Sequence, residues 1–449
     1  MRVIHLIGAG GVLAMIAAGA SIARQAEPAP NPQAPMPTVA ARANSILPNM
    51  QALFDGYVAD GKMPGVVGAI GFGDRPTLFV SAGRISDDAN AAAAGPDSLW
   101  RVYSMTKPIT GMAAMILVQE GKLKLDDPLS KYFPAFAKMR VLTSPDTSLD
   151  SAPAKSQITI RELLTHSAGL SYNISAKGPL LKEYERLGIL PGQVNAQMEV
   201  QARKARPTTL AEFANRVAQA PLIAEPGTKW SYSIGLDVMG AVIEKASGMP
   251  FDRFVQTKLL DPLKMKSTYW AVPASEVGRL STNYVFVGDK RTPIDPAAGS
   301  VYLEPPSFPY GGAGLVSSAR DYDRFLHMLQ DGGTLDGVQV MKPETAALAM
   351  SNLLPAGVTF GGLGNGTGGN MSAKMGFGAG GSVYLEDGPG GVPSKGTYGW
   401  GGAAGTIAWV DAAKKMRGTV MVQYFPSEKW PLRQEVVGAL AKDVARFHR

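Results

Sequence analysis

Apolar side chains at Ile46, Met50, Leu53, Phe54, Tyr57 and Val58 recur at the spacing of one helix face, so residues 43–60 are predicted to form a helix on a core. The pattern then changes. Residues 64–72 and 77–80 are rich in β-favouring side chains and are split by a turn-forming Asp74-Arg75-Pro76, which predicts a hairpin. A nearly continuous apolar run (Ile109, Met112, Ala113, Met115, Ile116, Leu117, Val118) predicts a helix packed in a core and ended by Gly121. Further helices are predicted at 158–166, 208–219, 234–246 and 251–260, separated by Pro and Gly, and another after Ser317-Ser318.

Residues 355–397 are dense in glycine and predict loops around a single strand at 380–385. Two strands are predicted at 403–410 and 418–425, joined by 411–417. Residues 431–447 then form an amphipathic helix through Leu432, Val436, Val437, Leu440, Val444 and Phe447. Strands near both ends of the chain must pair to bury their apolar faces. The expected fold is therefore α/β, in the α+β sense: an antiparallel sheet built from both ends, flanked by terminal helices, plus a mostly helical region. The sheet region is placed at 43–100 and 310–449 and the helical region at 101–309, with pockets expected at their junction.

The N-terminal residues change the picture only in location. Arg2 precedes an apolar stretch, and Ala18-Gly19-Ala20 or Ser21-Ile22-Ala23 suits a signal peptidase, so residues 1–23 are expected to be a signal peptide. Gly8, Gly10, Gly11 and Gly19 interrupt a run already short for a membrane span, which favours cleavage over stable membrane insertion. Residues 24–42 read as a Pro/Ala-rich linker. The mature domain, 43–449, is expected in the periplasm or secreted. The formal charge of +7 over the full sequence comes from scattered basic residues, densest at Arg203, Lys204 and Arg206 and at Lys414, Lys415 and Arg417. These read as solvated surface, and no nucleic-acid partner is expected. The twenty methionines are read as core filling.

Candidate chemistry starts at Ser104-Met105-Thr106-Lys107, the only place in 449 residues where a serine is followed three positions later by a lysine. On a helix those two side chains share a face. A serine needs a base beside it to become a nucleophile, and a desolvated lysine can serve. Pro108 suits a first helical turn, placing Ser104 at a helix N-terminus, where backbone N–H groups favour developing negative charge. Taken alone, the tetrapeptide fits an ordinary N-cap serine beside a solvated lysine more readily. The histidines shift that balance. His5 lies in the leader and His448 next to the last residue, His327 sits on an apolar helix pattern, and His166 closes a helix before Ser167-Ala168-Gly169. No Gly-x-Ser-x-Gly elbow occurs, and zero cysteines exclude a thiol nucleophile, thiolate metal site or disulfide.

A Ser/Lys site needs a second proton carrier and donors for an oxyanion. Tyr232, just before an apolar helix, offers the carrier, although a lone tyrosine is more often a packed aromatic. Trp400-Gly401-Gly402-Ala403 offers small residues at a strand start, where the Ala403 N–H could join that of Ser104. The plainer reading there is a glycine bulge.

In this order the segments resemble the serine β-lactamase-like hydrolases (the class C β-lactamase and penicillin-binding-protein type), and among them the family VIII carboxylesterases. The resemblance runs from about residue 43 to the C-terminus. It rests on Ser104-Met105-Thr106-Lys107-Pro108, Leu163-Leu164-Thr165-His166-Ser167-Ala168-Gly169-Leu170, Tyr232-Ser233 with Asp237-Val238-Met239-Gly240, and Pro262-Leu263-Lys264-Met265. It continues through Gly311-Gly312-Ala313-Gly314-Leu315 and Trp400-Gly401-Gly402-Ala403. The resemblance implies a nucleophilic Ser104, a Lys107 base, Tyr232 as proton shuttle, and Ser104 and Ala403 N–H groups as the oxyanion hole. Trp400, Gly401 and Gly402 would line the substrate, and the fold would be of the class C β-lactamase type. Neither a metal nor an organic cofactor is implied; the expected partner is a small-molecule ester.

Two departures from the β-lactamase pattern point to esters. Ile234 stands where Tyr-x-Asn would put its Asn, and Trp400-Gly401-Gly402 replaces Lys-Thr-Gly. Ser171-Tyr172-Asn173 and Ser281-Thr282-Asn283 do spell Ser-x-Asn, but the first trails from the Leu-Leu-Thr-His segment and the second follows the Tyr232 segment. A carboxylesterase is thus expected. A β-lactamase or D-alanyl-D-alanine peptidase and a non-catalytic secreted binding domain on the same fold are the rivals.

Overall fold

The computed structural model describes residues 46–360, 374–388 and 391–446. The expected signal peptide, 1–23, and linker, 24–42, lie outside the described residues. Helix α1 (Pro48–Ala59) starts on Pro48, whose missing N–H is harmless in a first turn, and buries Met50, Phe54 and Tyr57. Strands β1 (Gly65–Phe72) and β2 (Leu78–Gly83) form the expected hairpin, with Val67 opposite Ser81. Near the other end of the chain come β3 (Met375–Phe377), β4 (Ser382–Tyr384), β5 (Tyr398–Gly401), β6 (Ile407–Asp411) and β7 (Met416–Met421).

These make one seven-stranded antiparallel sheet in the order β3-β4-β5-β6-β7-β1-β2. Its two halves join where Val67 of β1 faces Met421 of β7. Helix α1 and the C-terminal helix Leu432–Arg446 cover one face through a core of Phe54, Val66, Ile70, Val420, Val436 and Leu440. The buried Asp443 carboxylate accepts the N–H groups of Asn49 and Met50 at 3.0 and 2.9 Å, so the last helix caps the first.

On the other face lies the main core, threaded by α2 (Thr106–Gln119), whose residues from Thr106 to Leu117 are all buried. Against α2 packs α4 (Gly235–Ser247), with α3 (Ile160–Leu164) packed on α4 in turn, while α5 (Ala319–Gln330) lies on β1, β6 and β7 of the sheet.

Some predicted elements differ. The strand expected at 403–410 begins only at Ile407; residues 402–406 form a tight turn from β5 to β6, closed by Gly402 N–H to Thr406 O at 2.8 Å. The glycine-dense stretch holds two strands, β3 and β4, where one was expected. Helices Gly178–Leu187, Ala196–Ala205 and Pro343–Ala349 were not anticipated, and the middle of the chain also carries a strand pair, Asn283–Val287 with Lys290–Asp295.

Candidate active site

Ser104 sits in a single 3₁₀ turn, Tyr103–Met105, that leads into α2. The turn is pinned from three sides. Val102 N–H donates to Leu315 O at 3.0 Å, Leu315 N–H donates to Thr106 Oγ1 at 3.1 Å, and the Tyr322 hydroxyl donates to Met105 O at 2.8 Å. Tyr103 has φ +42°, a left-handed conformation unusual for an aromatic residue. Ser104 is left half-buried, whereas Lys107, one turn on, is wholly buried.

The three polar residues picked out in the sequence come together. Lys107 Nζ lies 3.2 Å from Ser104 Oγ, and the Tyr232 hydroxyl donates to the same Oγ at 2.7 Å. The Lys107 ammonium also stands over the Tyr232 ring, 4.6 Å from its centroid, and over that of Tyr172 at 5.3 Å. Tyr232 is carried by the segment entering α4, and Ile234 behind it is fully buried in the main core. Ile234 therefore puts no amide at the position where the related pattern has Asn.

Two buried titratable groups surround this trio. Gly312 O accepts from Lys107 Nζ at 2.8 Å, and Gly312 N–H donates to Asp237 Oδ1, also at 2.8 Å. A Cβ at residue 312 would sit 2.5 Å from Asp237 Oδ2, so only glycine fits between the two charges. Burial pushes the Asp237 carboxyl up to about 6, against the opposing pull of Lys107. His166 follows α3, whose start is closed by a capping box of Thr159 and Glu162, and it takes φ +57° as the chain leaves the helix. Its Nδ1 accepts the Ser233 N–H at 3.2 Å and lies 2.9 Å from Ser233 Oγ. Burial, with Lys107 nearby, holds its pKa well below the usual value, so the ring stays neutral and supports Tyr232 edge-on at 4.9 Å.

Trp400 and Gly401 end β5, and Gly402 and Ala403 open the turn after it. The N–H groups of Ser104 and Ala403 donate to no other described residue, which leaves both available to an incoming oxygen. The turn is braced by Arg433 from the C-terminal helix, which donates to Gly402 O at 3.1 Å. Trp400 is buried with Phe360 and Phe377, and its ring lies 5.8 Å from that of Tyr232.

Sequence reasoning missed the bridging roles of Asp237 and Gly312, the Arg433 brace, and Tyr172 under Lys107. Only the first two had a signal, since both lie in the family-like segments. Among the described residues a single His/Asp cluster has metal-ligand spacing: Asp74, His327 and Asp331, on the β1–β2 turn and the end of α5, apart from Ser104.

The beta-lactamase family profile matches residues 50–442. Protein Rv1367c of Mycobacterium tuberculosis is 34% identical over 339 residues, 74% of this chain and 78% of its own. Esterase EstB of Burkholderia gladioli is 31% identical over 389 residues, 83% of this chain and 88% of its own. Among solved structures, EstCE1, described as a hydrolase with promiscuous acyltransferase activity, superposes with a TM-score of 0.70 at 25% identity, over 88% of this chain and 98% of its own. A profile that spans nearly all the described residues, and relatives of this identity over most of their length, establish that the chain belongs to the beta-lactamase family and is a serine hydrolase of that superfamily.

Proposed function

We propose that the protein is a carboxylesterase that cleaves small, short-chain esters through an acyl-Ser104 intermediate. The observation that carries this reading is the convergence of Tyr232 Oη and Lys107 Nζ on Ser104 Oγ, at 2.7 and 3.2 Å. For the hydroxyl to attack, one partner must stand deprotonated, Lys107 as the amine or Tyr232 as the phenolate, and that partner takes up the serine proton as Oγ bonds to the ester carbonyl carbon. The carbonyl oxygen becomes an anion between the Ser104 and Ala403 N–H groups, where each donor is worth about 3–4 kcal/mol in acyl transfer. The tetrahedral adduct collapses, the C–O bond to the alcohol breaks, and the leaving oxygen departs with the proton held by Lys107 and Tyr232. Water then attacks acyl-Ser104 with the same pair as base, releasing the carboxylic acid and restoring the hydroxyl.

Similarity to Esterase EstB supports the choice of ester, and similarity to EstCE1 supports an alcohol as an alternative acceptor to water. The direct test is a fluorophosphonate probe followed by peptide mapping. The added mass should fall on the tryptic peptide holding Ser104 and vanish in Ser104→Ala. Labelling of another serine, or ester hydrolysis that survives in Ser104→Ala, ends the reading.

A further inference from the structure

Tyr103 combines two features that the chemistry above does not use: a strained backbone and a phenol held in a buried hydrogen bond. For a non-glycine residue, φ +42° is strained and persists only where the surroundings impose it. Here they do. Asn283, fully buried, donates Nδ2 to the Tyr103 hydroxyl at 2.9 Å, while its own Oδ1 accepts the Tyr284 N–H at 3.0 Å. The ring meets Phe425 edge-on at 5.5 Å and Tyr302 at 6.3 Å, and it shares a small buried cluster with Val285, Phe425 and Ala404. Asn283 belongs to the Ser281-Thr282-Asn283 tripeptide, which the motif order leaves without a role.

Ala404 makes this arrangement relevant to catalysis. It is the neighbour of Ala403, as Tyr103 is the neighbour of Ser104. On the other flank, a Cβ at Gly402 would lie only 2.5 Å from Val102 O. Gly402 thus lies against Val102, and Ala404 shares the buried cluster of Tyr103, so the tripeptides 102–104 and 402–404, which carry the Ser104 and Ala403 amides, are held near each other. Ala404 is also tied down from behind, because its carbonyl accepts the Tyr424 N–H at 3.1 Å.

We propose that Tyr103 is a positioning residue: its ring, oriented by Asn283, sets the separation of the Ser104 and Ala403 amides and so the fit of the oxyanion hole. This rests on the acyl-Ser104 reading, and the two fail in different ways. If wild-type Ser104 takes no fluorophosphonate, the serine reading itself is wrong and the proposal falls with it. If Ser104 is labelled, Tyr103→Met tests the proposal, since it keeps apolar volume but loses the rigid ring.

With turnover counted per Ser104 titrated by the probe, Tyr103→Met should lower kcat about 30-fold, with KM changed less than about 3-fold. Its affinity for phenylboronic acid, whose tetrahedral adduct on Ser104 places an oxygen in the hole, should fall in parallel. Tyr103→Phe should restore both to within about 5-fold, and the shape of the pH–rate profile should stay unchanged, because the base is untouched. A merely structural role would lower the titratable fraction and leave kcat per site and boronate affinity intact. That result overturns the proposal, as does a kcat loss without a boronate loss. Should Tyr103→Met not fold, Phe425→Leu loosens the same ring from its far side and must show the same coupled loss.

Discussion

Asp237 and Lys107 are joined through one residue, Gly312, which donates its N–H to the carboxylate and lends its carbonyl to the ammonium, each at 2.8 Å. Both side chains are fully buried, and Asp237 Oδ2 has no hydrogen-bond partner among the described residues. The lysine beside the nucleophile therefore has its counter-charge at one remove, with the Gly312 carbonyl fixing the direction of Nζ.

A pH-dependent contribution to stability follows. The Asp237 carboxyl is raised from 3.8 to about 6, chiefly by burial, so the folded protein holds this proton more tightly than the unfolded chain. Its contribution is fully present below 3.8 and is lost as pH rises through about 6. Two pK units correspond to about 3 kcal/mol. Asp237→Asn keeps an acceptor for Gly312 N–H and removes the titration. Urea unfolding at pH 4 and pH 8 should show wild type losing more stability over that interval than the variant. Equal losses would mean that Asp237 ionises in the fold as freely as in the unfolded chain.

Tyr232→Phe keeps the ring that His166 and Trp400 support, at 4.9 and 5.8 Å, and deletes the hydroxyl 2.7 Å from Ser104. Turnover should fall roughly 10²- to 10⁴-fold, the usual contribution of a positioned proton carrier, with little change in KM. Near-full turnover would make Tyr232 a packing aromatic. Lys107→Ala should abolish activity as thoroughly. It should also destabilise the fold by about 3–5 kcal/mol, because the buried Asp237 is left unpaired; thermal unfolding of the variant checks this second effect.

Gly402→Ala tests the turn after β5. The new methyl would lie 2.2 Å from Thr406 Oγ1 and 2.5 Å from Val102 O, and the latter is backbone that cannot swing aside. The turn must move away from the nucleophile, so kcat should drop about 10- to 100-fold at constant Ser104 labelling. Gly438→Ala serves as the control. It lies in the C-terminal helix with nothing within 4 Å of the added Cβ, and it should raise stability by about 0.5–1 kcal/mol with activity unchanged.

What the sequence disclosed tracks the range of the interaction. The face of α1 and the Ser104–Lys107 pair are set by spacing within a few residues, so periodicity alone reaches them. Tyr232 lies 128 residues from Ser104 and was legible only through the order of family-like segments. Asp443 capping α1, and Asn283 holding Tyr103, have no local signature, because each donor–acceptor pair exists only once distant strands and helices have packed. The strand predicted at 403–410 starts late for a related reason. Its small residues satisfy a β pattern as well as a turn, and what selects the turn is the close approach of Gly402 to Val102.

Ester preference over β-lactam is the prediction that bears most on function. Where a Lys-Thr-Gly element would present a cation, Trp400 is buried in an aromatic cluster with Phe360 and Phe377. A guanidinium does reach this turn, but Arg433 directs Nη2 to the Gly402 and Thr406 carbonyls, at 3.1 and 3.4 Å, and so braces the backbone. A charge-assisted contact to a substrate carboxylate contributes about 1.5–3 kcal/mol, so losing it costs a β-lactam roughly ten- to a hundredfold. Ile234, sealed in the core, supplies no amide to hold the lactam side chain. An alkoxide also departs with less help than an amine, which favours esters further. The specificity constant for a short-chain p-nitrophenyl ester should exceed that for a chromogenic cephalosporin by about 10²-fold or more. Trp400→Lys, which returns a cation to the position where the Lys-Thr-Gly element has one, should narrow that gap from the cephalosporin side. A wild-type enzyme that turns over the cephalosporin with a higher specificity constant than every ester tried would promote the lactamase reading over the esterase one.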